Sequence, residues 1–512
     1  MTGSSAPQAA RGTGRRRGVE PVSLVVSGAG GLLGSACVSL GAAQRGSPFS
    51  FTAPGTWVFG SAQSAAVGTT ARFLGIILVY LGIALLLGSW YELVRTVRAR
   101  PGTALAPLIR VLVAWAAPIV VAPPLFSRDV YSYAAQGQMV TRGISPYAHG
   151  PAALGAGPYL RLVDPLWAHS PAPYGPAWER LSAWIVQLSG RDVLTALVGF
   201  RLVALVGVGL MAWAVPVLAR SVGRDRGSAF ALAVMNPLVV LDLLGSSHND
   251  ALMLGLLVAG CAAARSRQVA VGLLLCALAA EVKIPALIGA AFIGWWWAGS
   301  GASPRARLAR VVGSVVSVAA AMAAIGAVSG LGWRWLGDLS NPGRVVSWLD
   351  PATAVGLLLD RAAAAFGAPG HQAAFVHGAR TVALVAAAVI SLVLLVRSDR
   401  LGAMAAIGGS LLAFVVLGPV IWPWYETWAF VFLAVTAEGR ILQLLFLFSA
   451  VACVADLPRP RLLATGDPVL VTVGWVALAA VVGLFLVTRV MRRAVGPSAQ
   501  PPPSTSITWP VT

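Results

Sequence analysis

Asp129, Tyr131, Tyr133 and Gln136 stand within eight residues of one another in the stretch LFSRDVYSYAAQGQMVTRGISPYAHGP, Leu125 to Pro151, directly after a long apolar run. A carboxylate accepts hydrogen bonds from the hydroxyls of a sugar. Tyrosine rings and amides supply the stacking faces and hydrogen-bond partners that a pyranose uses. Tyr147, His149, Asp164, Trp167, Tyr174 and Glu179 follow in the same loop. An interfacial aromatic belt accounts for the Trp and Tyr residues but not for the Asp, His and Gln among them. Arg128 and Asp129 taken alone read equally well as a solvated anchor at a helix end.

Three further clusters set polar chemistry among apolar neighbours. Ser246-Ser247-His248-Asn249-Asp250 places five small polar or ionisable residues between hydrophobic segments, which is costly at membrane depth unless they face a polar cavity. Asn249 or Asp250 also suits the cap of a helix beginning at Ala251, yet a cap needs one residue and has no use for His248. Glu281-Val282-Lys283-Ile284-Pro285 interrupts an apolar stretch of about thirty residues. Pro285 fits the first turn of a new helix, and Lys283 then either snorkels to lipid headgroups or serves a lipid phosphate. The third cluster, GPVIWPWYETWAF at 418–430, gathers Trp422, Trp424, Tyr425 and Glu426 around Pro423. The tryptophans fit a belt; Glu426 does not. Arg344, in the segment 332–377, is either a phosphate contact or a solvated charge.

A membrane bundle must position these clusters. Hydrophobic residues make up 57% and charged residues 11% of 512, with a mean hydropathy of +0.79, which excludes a soluble fold. The net charge of +19 is dispersed in short Arg clusters between apolar segments, so it orients the chain in a membrane and does not point to nucleic acid. Cys37, Cys261, Cys276 and Cys453 lie in apolar runs without ligand spacing, and neither a disulfide framework nor a metal site is read from them. Apolar runs predict spans near 22–44, 71–94, 105–126, 194–219, 227–243, 251–264, 268–282, 284–299, 310–331, 379–397, 401–421, 428–437, 440–455 and 468–488, about fourteen within a range of 12–15. The first, preceded by RGTGRRRG, reads as a retained helix in preference to a cleaved signal.

Basic connections such as RTVRARPG, ARSVGRDRG, SPRARLAR and RSDR alternate onto one side, cytoplasmic by the positive-inside rule. The other side receives a loop at 127–190, SSHND, VKIP, a second loop at 332–377 and WPWYETW. In the first loop, residues 178, 181, 184, 185 and 188 form an apolar stripe opposed by Glu179, Arg180 and Gln187, the pattern of an amphipathic helix over 176–190 lying on the membrane surface. Residues 1–20 and 491–512 are expected to be disordered cytoplasmic tails around a membrane domain of 21–490.

No phosphate-cradling glycine loop, His-x-x-x-His pair or Gly-x-Ser-x-Gly elbow occurs, so nucleotide hydrolysis, metalloprotease and serine-hydrolase chemistry have no support. A transferase working outside the cytoplasm needs its activated sugar delivered on a lipid. In order and spacing, FSRDVYSYAAQG, GISPYAHGP, APYGPA, NPLVVL with SSHNDALMLG, VKIPALIG and WPWYETW resemble the actinobacterial integral-membrane α-(1→6)-mannosyltransferases that elongate the mannan of lipomannan and lipoarabinomannan. The likeness is clearest over residues 105–430.

The resemblance implies an all-α polytopic membrane protein of the GT-C glycosyltransferase fold, with its site at the outer interface of the plasma membrane and a catalytic first outer loop. It implies polyprenyl-phosphate mannose as donor, a mannosylated phosphatidylinositol or lipomannan as acceptor, and inversion of the anomeric centre in one displacement. Carried onto this chain, Asp129 takes the role of general base. Lys283, Arg128 and Arg344 become candidates for the donor phosphate. Tyr131, Tyr133, Gln136, His248, Asn249, Asp250, Trp422, Trp424, Tyr425 and Glu426 become candidates for sugar and acceptor binding. No cofactor is implied, and involvement of a divalent ion stays open because Asp129 has no acidic neighbour within two positions. The competing reading is a transporter or flippase of a lipid-linked sugar. That reading predicts internal repeats, whereas no repeat is evident and the polar clusters gather on one side.

Overall fold

The computed structural model describes residues 21–44, 47–49, 69–455, 472–480 and 483. The tails expected at 1–20 and 491–512 and much of the span expected near 468–488 lie outside these residues. Every regular element among the described residues is helical. Helix α1 (Pro21–Ala42) packs on α2 (Thr69–Arg98) and α3 (Leu105–Val120). The apolar run suggested that this third span continues to 126. It stops six residues earlier, before Pro123 and Pro124, which supply no amide donor and push the preceding residue out of helical geometry.

The segment 127–190, expected on the outer side, then folds as α4 (Asp129–Thr141), a short 3-10 turn, α5 (Pro158–Leu162) and α6 (Pro176–Leu188). Helix α6 departs from the surface helix expected at 176–190. It packs against α4 and against α7 (Val193–Ser221). Its buried residues include Trp178, Glu179, Ser182 and Val186, Glu179 fully so, while Trp184 and Leu188 are 60% and 89% exposed. The expected polar face is therefore turned inward at Glu179, and two residues of the expected stripe are left for lipid.

Helix α7 starts on Asp192, whose Oδ2 accepts from the Thr195 amide at 2.7 Å, a side-chain cap for an orphaned donor. The single span expected at 227–243 is two pieces, α8 (Arg226–Ala233) and a π-helical segment Val239–Gly245. Pro237 interrupts the run. Asn236 fills the break, its Oδ1 accepting from the Leu238 amide at 3.0 Å and its Nδ2 donating to Ser449 Oγ at 2.8 Å.

Helices α9 (Asp250–Arg265) and α10 (Val269–Val282) pack together, and α9 approaches α7 so closely that a Cβ on Gly255 would stand 2.4 Å from the Gly207 carbonyl oxygen. Only glycine permits that approach. It fixes the height at which α9, and with it Asp250, begins. A 3-10 turn opened by Pro285 then leads into α11 (Ile288–Ala298).

The chain continues through α12 (Pro304–Ser329), α13 (Pro351–Ala365), α14 (Gln372–Val396), α15 (Ser398–Leu401), α16 (Ala403–Val416), α17 (Glu426–Thr436) and α18 (Gly439–Ala455). Val316, Val382 and Leu392 on α12 and α14 are 59%, 71% and 60% exposed, a surface suited to lipid and not to water. Arg307 and Arg310 lie over the rings of Trp295 and Trp297 at 4.4 and 4.0 Å, the pairing of basic and aromatic residues found at membrane interfaces. Among the described residues, five helices, within α1, α2, α7, α12 and α14, are long and apolar enough to cross a membrane. The chain is an all-α polytopic membrane protein.

Candidate active site

Five chain segments meet at one level: the exit of α3, the start of α4, the loop before α9, the end of α10 and the start of α17. Arg201 ties two of them together from about 12 Å below the start of α7. Its Nη1 donates to the carbonyls of Ile119, Val120 and Ala122 at 2.7, 2.9 and 3.1 Å. Its Nη2 donates to Gly245 O at 3.0 Å and its Nε to Ser247 Oγ at 2.7 Å. The orphaned carbonyls at the ends of α3 and of the π-helical segment are thus satisfied by a cation, which their dipoles favour.

The two loops are also joined directly, by the Leu125 amide on Gly245 O at 3.0 Å and by Ser246 Oγ on Leu125 O at 2.7 Å. Each carries a side-chain-bearing residue in left-handed backbone, Phe126 at φ 60° and Ser247 at φ 55°, at a cost of about 1–2 kcal/mol apiece. Strain of this kind persists only where surrounding contacts over-determine it, and the Arg201 network does so here. Lysine has three donors on one nitrogen and cannot span both loops. Arg201→Lys is therefore expected to lower the melting temperature in detergent and to reduce activity at least about tenfold, both read on one preparation.

Asp129 and His248 emerge from the joined loops facing each other, His248 Nδ1 lying 3.6 Å from Asp129 Oδ2. The His248 ring is fully buried and stacked on Trp424 at 3.9 Å and 20°, and Trp424 is stacked in turn on Trp422 at 5.4 Å and 2°. Burial, and then the nearby Lys283 ammonium, hold this imidazole well below its ordinary value, so it is neutral at physiological pH. Asp129 opens α4, its amide donating to Ser127 Oγ at 3.2 Å, and its side chain keeps 20% exposure. Burial pushes its carboxyl up to about 7. Lys283 pulls against that rise, Asp250 and Asp164 add to it, and the Trp167 indole opposes it. A carboxyl poised near neutrality is suited to exchanging a proton at physiological pH.

The rest of the 246–250 run reaches other segments. The Tyr133 hydroxyl donates to Asn249 Oδ1 at 3.2 Å, and the Tyr133 ring meets Tyr174 and Trp178 edge-on. Asp250 receives Lys283 Nζ on both oxygens, at 2.9 and 2.8 Å, and the Trp428 indole N–H on Oδ1 at 2.6 Å. Lys283 Nζ also stands 4.5 Å from the centroid of Tyr425 and 5.4 Å from that of Trp428, a cation between π faces. A lysine pinned to a buried carboxylate is not snorkelling. Nor is capping the reason for Asn249 or Asp250, since α9 begins at Asp250 and Asn249 makes no side-chain cap bond. Each residue from 246 to 250 has a different neighbour, which is why one cap does not account for the run.

The structure brings Asp129, Tyr133, His248, Asn249, Asp250, Lys283, Trp424 and Tyr425 into one cluster, with Trp422 behind Trp424. Arg128 sits beside Asp129 at the N-cap position of α4, partly buried. Tyr131 is buried and lies close enough to Arg201 to interact with it electrostatically. Gln136 is buried about two turns further along α4, and Glu426 opens α17. Arg344 is exposed in the segment 332–377, its Nη1 3.4 Å from Ser170 Oγ. Sequence reasoning missed Arg201, and it did not foresee that Trp428 donates to Asp250. A lone arginine inside a predicted span was the available signal for the first; Trp428 was hidden among tryptophans that a belt explains. Among the described residues no three His, Cys, Asp or Glu side chains converge as a metal site.

Fold and site define a polytopic membrane protein in which a carboxyl held near neutrality and a partly buried lysine are gathered in one cluster. The chain belongs to the alpha-(1→6)-mannopyranosyltransferase family: the family model described as alpha-(1→6)-mannopyranosyltransferase, N-terminal domain, matches residues 28–299, and that of the MptB C-terminal domain matches residues 352–489. Asp129, His248, Asp250 and Lys283 all fall within the first match. The chain is 33% identical over 392 residues to the probable alpha-(1→6)-mannopyranosyltransferase of Mycolicibacterium smegmatis, covering 70% of each. It is 32% identical over 378 residues to alpha-(1→6)-mannopyranosyltransferase A of Mycobacterium tuberculosis, covering 72% of each. With alpha-(1→6)-mannopyranosyltransferase B of Corynebacterium glutamicum it shares 29% identity over 446 residues, 78% of this chain and 74% of that one. No solved structure matches it.

Proposed function

We propose that the protein transfers mannose from polyprenyl-phosphate mannose to an α-(1→6)-mannan acceptor, a mannosylated phosphatidylinositol or lipomannan, at the outer face of the plasma membrane. One observation carries the reading: a carboxyl held near neutrality, Asp129, lies within electrostatic reach of a partly buried ammonium, Lys283. The names of the relatives support mannose and the α-(1→6) linkage. The Arg-rich connections, assigned to the cytoplasm, support an outer site.

Asp129 accepts the proton of the acceptor hydroxyl as its oxygen attacks the anomeric carbon from the face opposite the phosphate. The bond from that carbon to the phosphate oxygen breaks, its electron pair leaves with polyprenyl phosphate, and the anomeric configuration inverts. One carboxyl suffices because no covalent glycosyl intermediate forms. The leaving phosphate gains negative charge, which a cation stabilises better than an acid would. Lys283 spends two donors on Asp250 and keeps a third N–H for the phosphate.

The test supplies purified protein in detergent with radiolabelled polyprenyl-phosphate mannose and an α-(1→6)-dimannoside. Formation of an α-(1→6)-trimannoside supports the reading. No product, together with movement of a fluorescent lipid-linked mannose between the leaflets of proteoliposomes, would replace it with lipid-sugar transport.

A further inference from the structure

His248 has a burial and a geometry that sugar binding does not explain. Its ring is fully buried, and neither nitrogen has a hydrogen-bond partner. A neutral imidazole carries one N–H and one lone pair, and leaving both unmet in a buried site costs free energy unless a partner arrives. Asp129 Oδ2 lies 3.6 Å from Nδ1, slightly beyond hydrogen-bond length. Stacking on Trp424, itself backed by Trp422, fixes the plane of the ring. Ser247, which precedes it, is anchored by Arg201. The ring is therefore delivered to the edge of Asp129 by a rigid stack and a tied loop.

We propose that His248 is the positioning residue for Asp129, bearing its proton on Nδ1 and donating it to Oδ2 when the acceptor closes the site. Catalytic hydrogen bonds are often long before substrate binds and tighten in the reactive complex. The donated bond leaves Oδ1 to take the hydroxyl proton and holds the carboxyl plane still while it does so. It also favours the ionised carboxylate, the form in which Asp129 works. The other groups that act on Asp129 are Lys283 from the end of α10, Asp250 from the start of α9, Asp164 and Trp167 from the outer loop. Tyr133, Tyr174 and Tyr425 also lie within electrostatic range of it. His248 is seated beside Oδ2 on the Trp424–Trp422 stack.

The inference rests on Asp129 as the base, and the experiment separates the two. Wild type, Asp129→Asn, His248→Phe, His248→Asn and His248→Gln are assayed for mannose transfer from polyprenyl-phosphate mannose across pH 5–9, an interval of about two units either side of neutrality. Phenylalanine keeps the stack and removes the donor. The asparagine amide reaches the position of Nδ1, the glutamine amide that of Nε2. With Asp129→Asn inactive, the inference expects His248→Phe to lower the high-pH kcat roughly tenfold or more and to move the midpoint of the pH profile up by about one unit, the loss of one hydrogen bond to a carboxylate. KM for donor and acceptor stays within about twofold. His248→Asn restores the midpoint and His248→Gln does not.

An unmoved midpoint in His248→Phe with a raised KM would overturn the inference in favour of direct sugar contact, leaving Asp129 in its role. Equal rescue by Gln and Asn would also overturn it. Full activity in Asp129→Asn would remove the base and the inference together.

Discussion

Asp129→Asn is expected to fold, insert and bind donor as the wild type does while its transfer rate falls by about a thousandfold, the middle of the range for loss of a general base. Asparagine preserves the shape of the side chain and keeps an acceptor for the Trp167 indole, so only the capacity to take a proton is lost. The substitution should not harm the fold. Burial raises the Asp129 carboxyl from its ordinary value to about 7 in the folded protein. The folded state therefore favours the neutral form: the stability this contributes is complete below the ordinary carboxylate range and is lost as pH rises towards about 7. At pH 8 the neutral amide removes the cost of a buried anion, and the variant melts no lower than wild type. Melting temperature and transfer rate, measured at pH 8 on the same detergent-solubilised sample, check both halves. A variant that transfers mannose at the wild-type rate would take Asp129 out of the mechanism.

The second large effect is expected at Lys283. Removing it alone leaves Asp250, which is fully buried, without its cation, and breaking a buried ion pair from one side costs about 3–5 kcal/mol. Lys283→Ala would then lose activity for a trivial reason. The informative variant pairs Lys283→Met with Asp250→Asn, which removes both charges, keeps most of the volume, and leaves the Trp428 indole an amide oxygen to donate to. This pair is expected to recover most of the melting temperature lost by Lys283→Ala while transfer stays about a hundredfold or more below wild type, since the leaving phosphate has lost its cation. Inhibition by polyprenyl phosphate weakens in parallel. Wild-type transfer in the double variant would make the ion pair a structural tie and move the phosphate to another cation.

Most of the helices and nearly all of the clustered residues were legible in the sequence, because the solvent that selects them is uniform. A bilayer demands long apolar runs, and polar residues within it need a reason. The failures have local causes. At 227–243 hydropathy alone could not show that Pro237 splits the run and that an asparagine side chain repairs the break. At 176–190 the stripe reads as lipid-facing in the sequence, yet α6 is enclosed at Glu179. Such enclosure depends on α4 and α7 and is not visible in the periodicity of α6 itself.

The 246–250 run was readable as a site but not as a distribution point. Its residues reach the exit of α3 through Ser246, α7 through Ser247, Asp129 through His248, α4 through Asn249 and the end of α10 through Asp250. Spacing along the chain carries no information about which partner each residue meets. Arg201, the residue that holds the loops in place, is hidden in the sequence among apolar residues, the very feature that makes its burial expensive and its hydrogen bonds obligatory.

The central claim is that Asp129, ionising near neutrality, takes the proton of the attacking hydroxyl. The most direct test is the single-turnover rate of mannose transfer from polyprenyl-phosphate mannose as a function of pH, with donor and acceptor saturating, for wild type and Asp129→Asn side by side. The wild-type rate should climb tenfold per pH unit on the acid side and level off above a midpoint at about 7. The variant should give a low rate without that inflection. A wild-type inflection preserved in Asp129→Asn at comparable rates would show that another group titrates and would contradict the account.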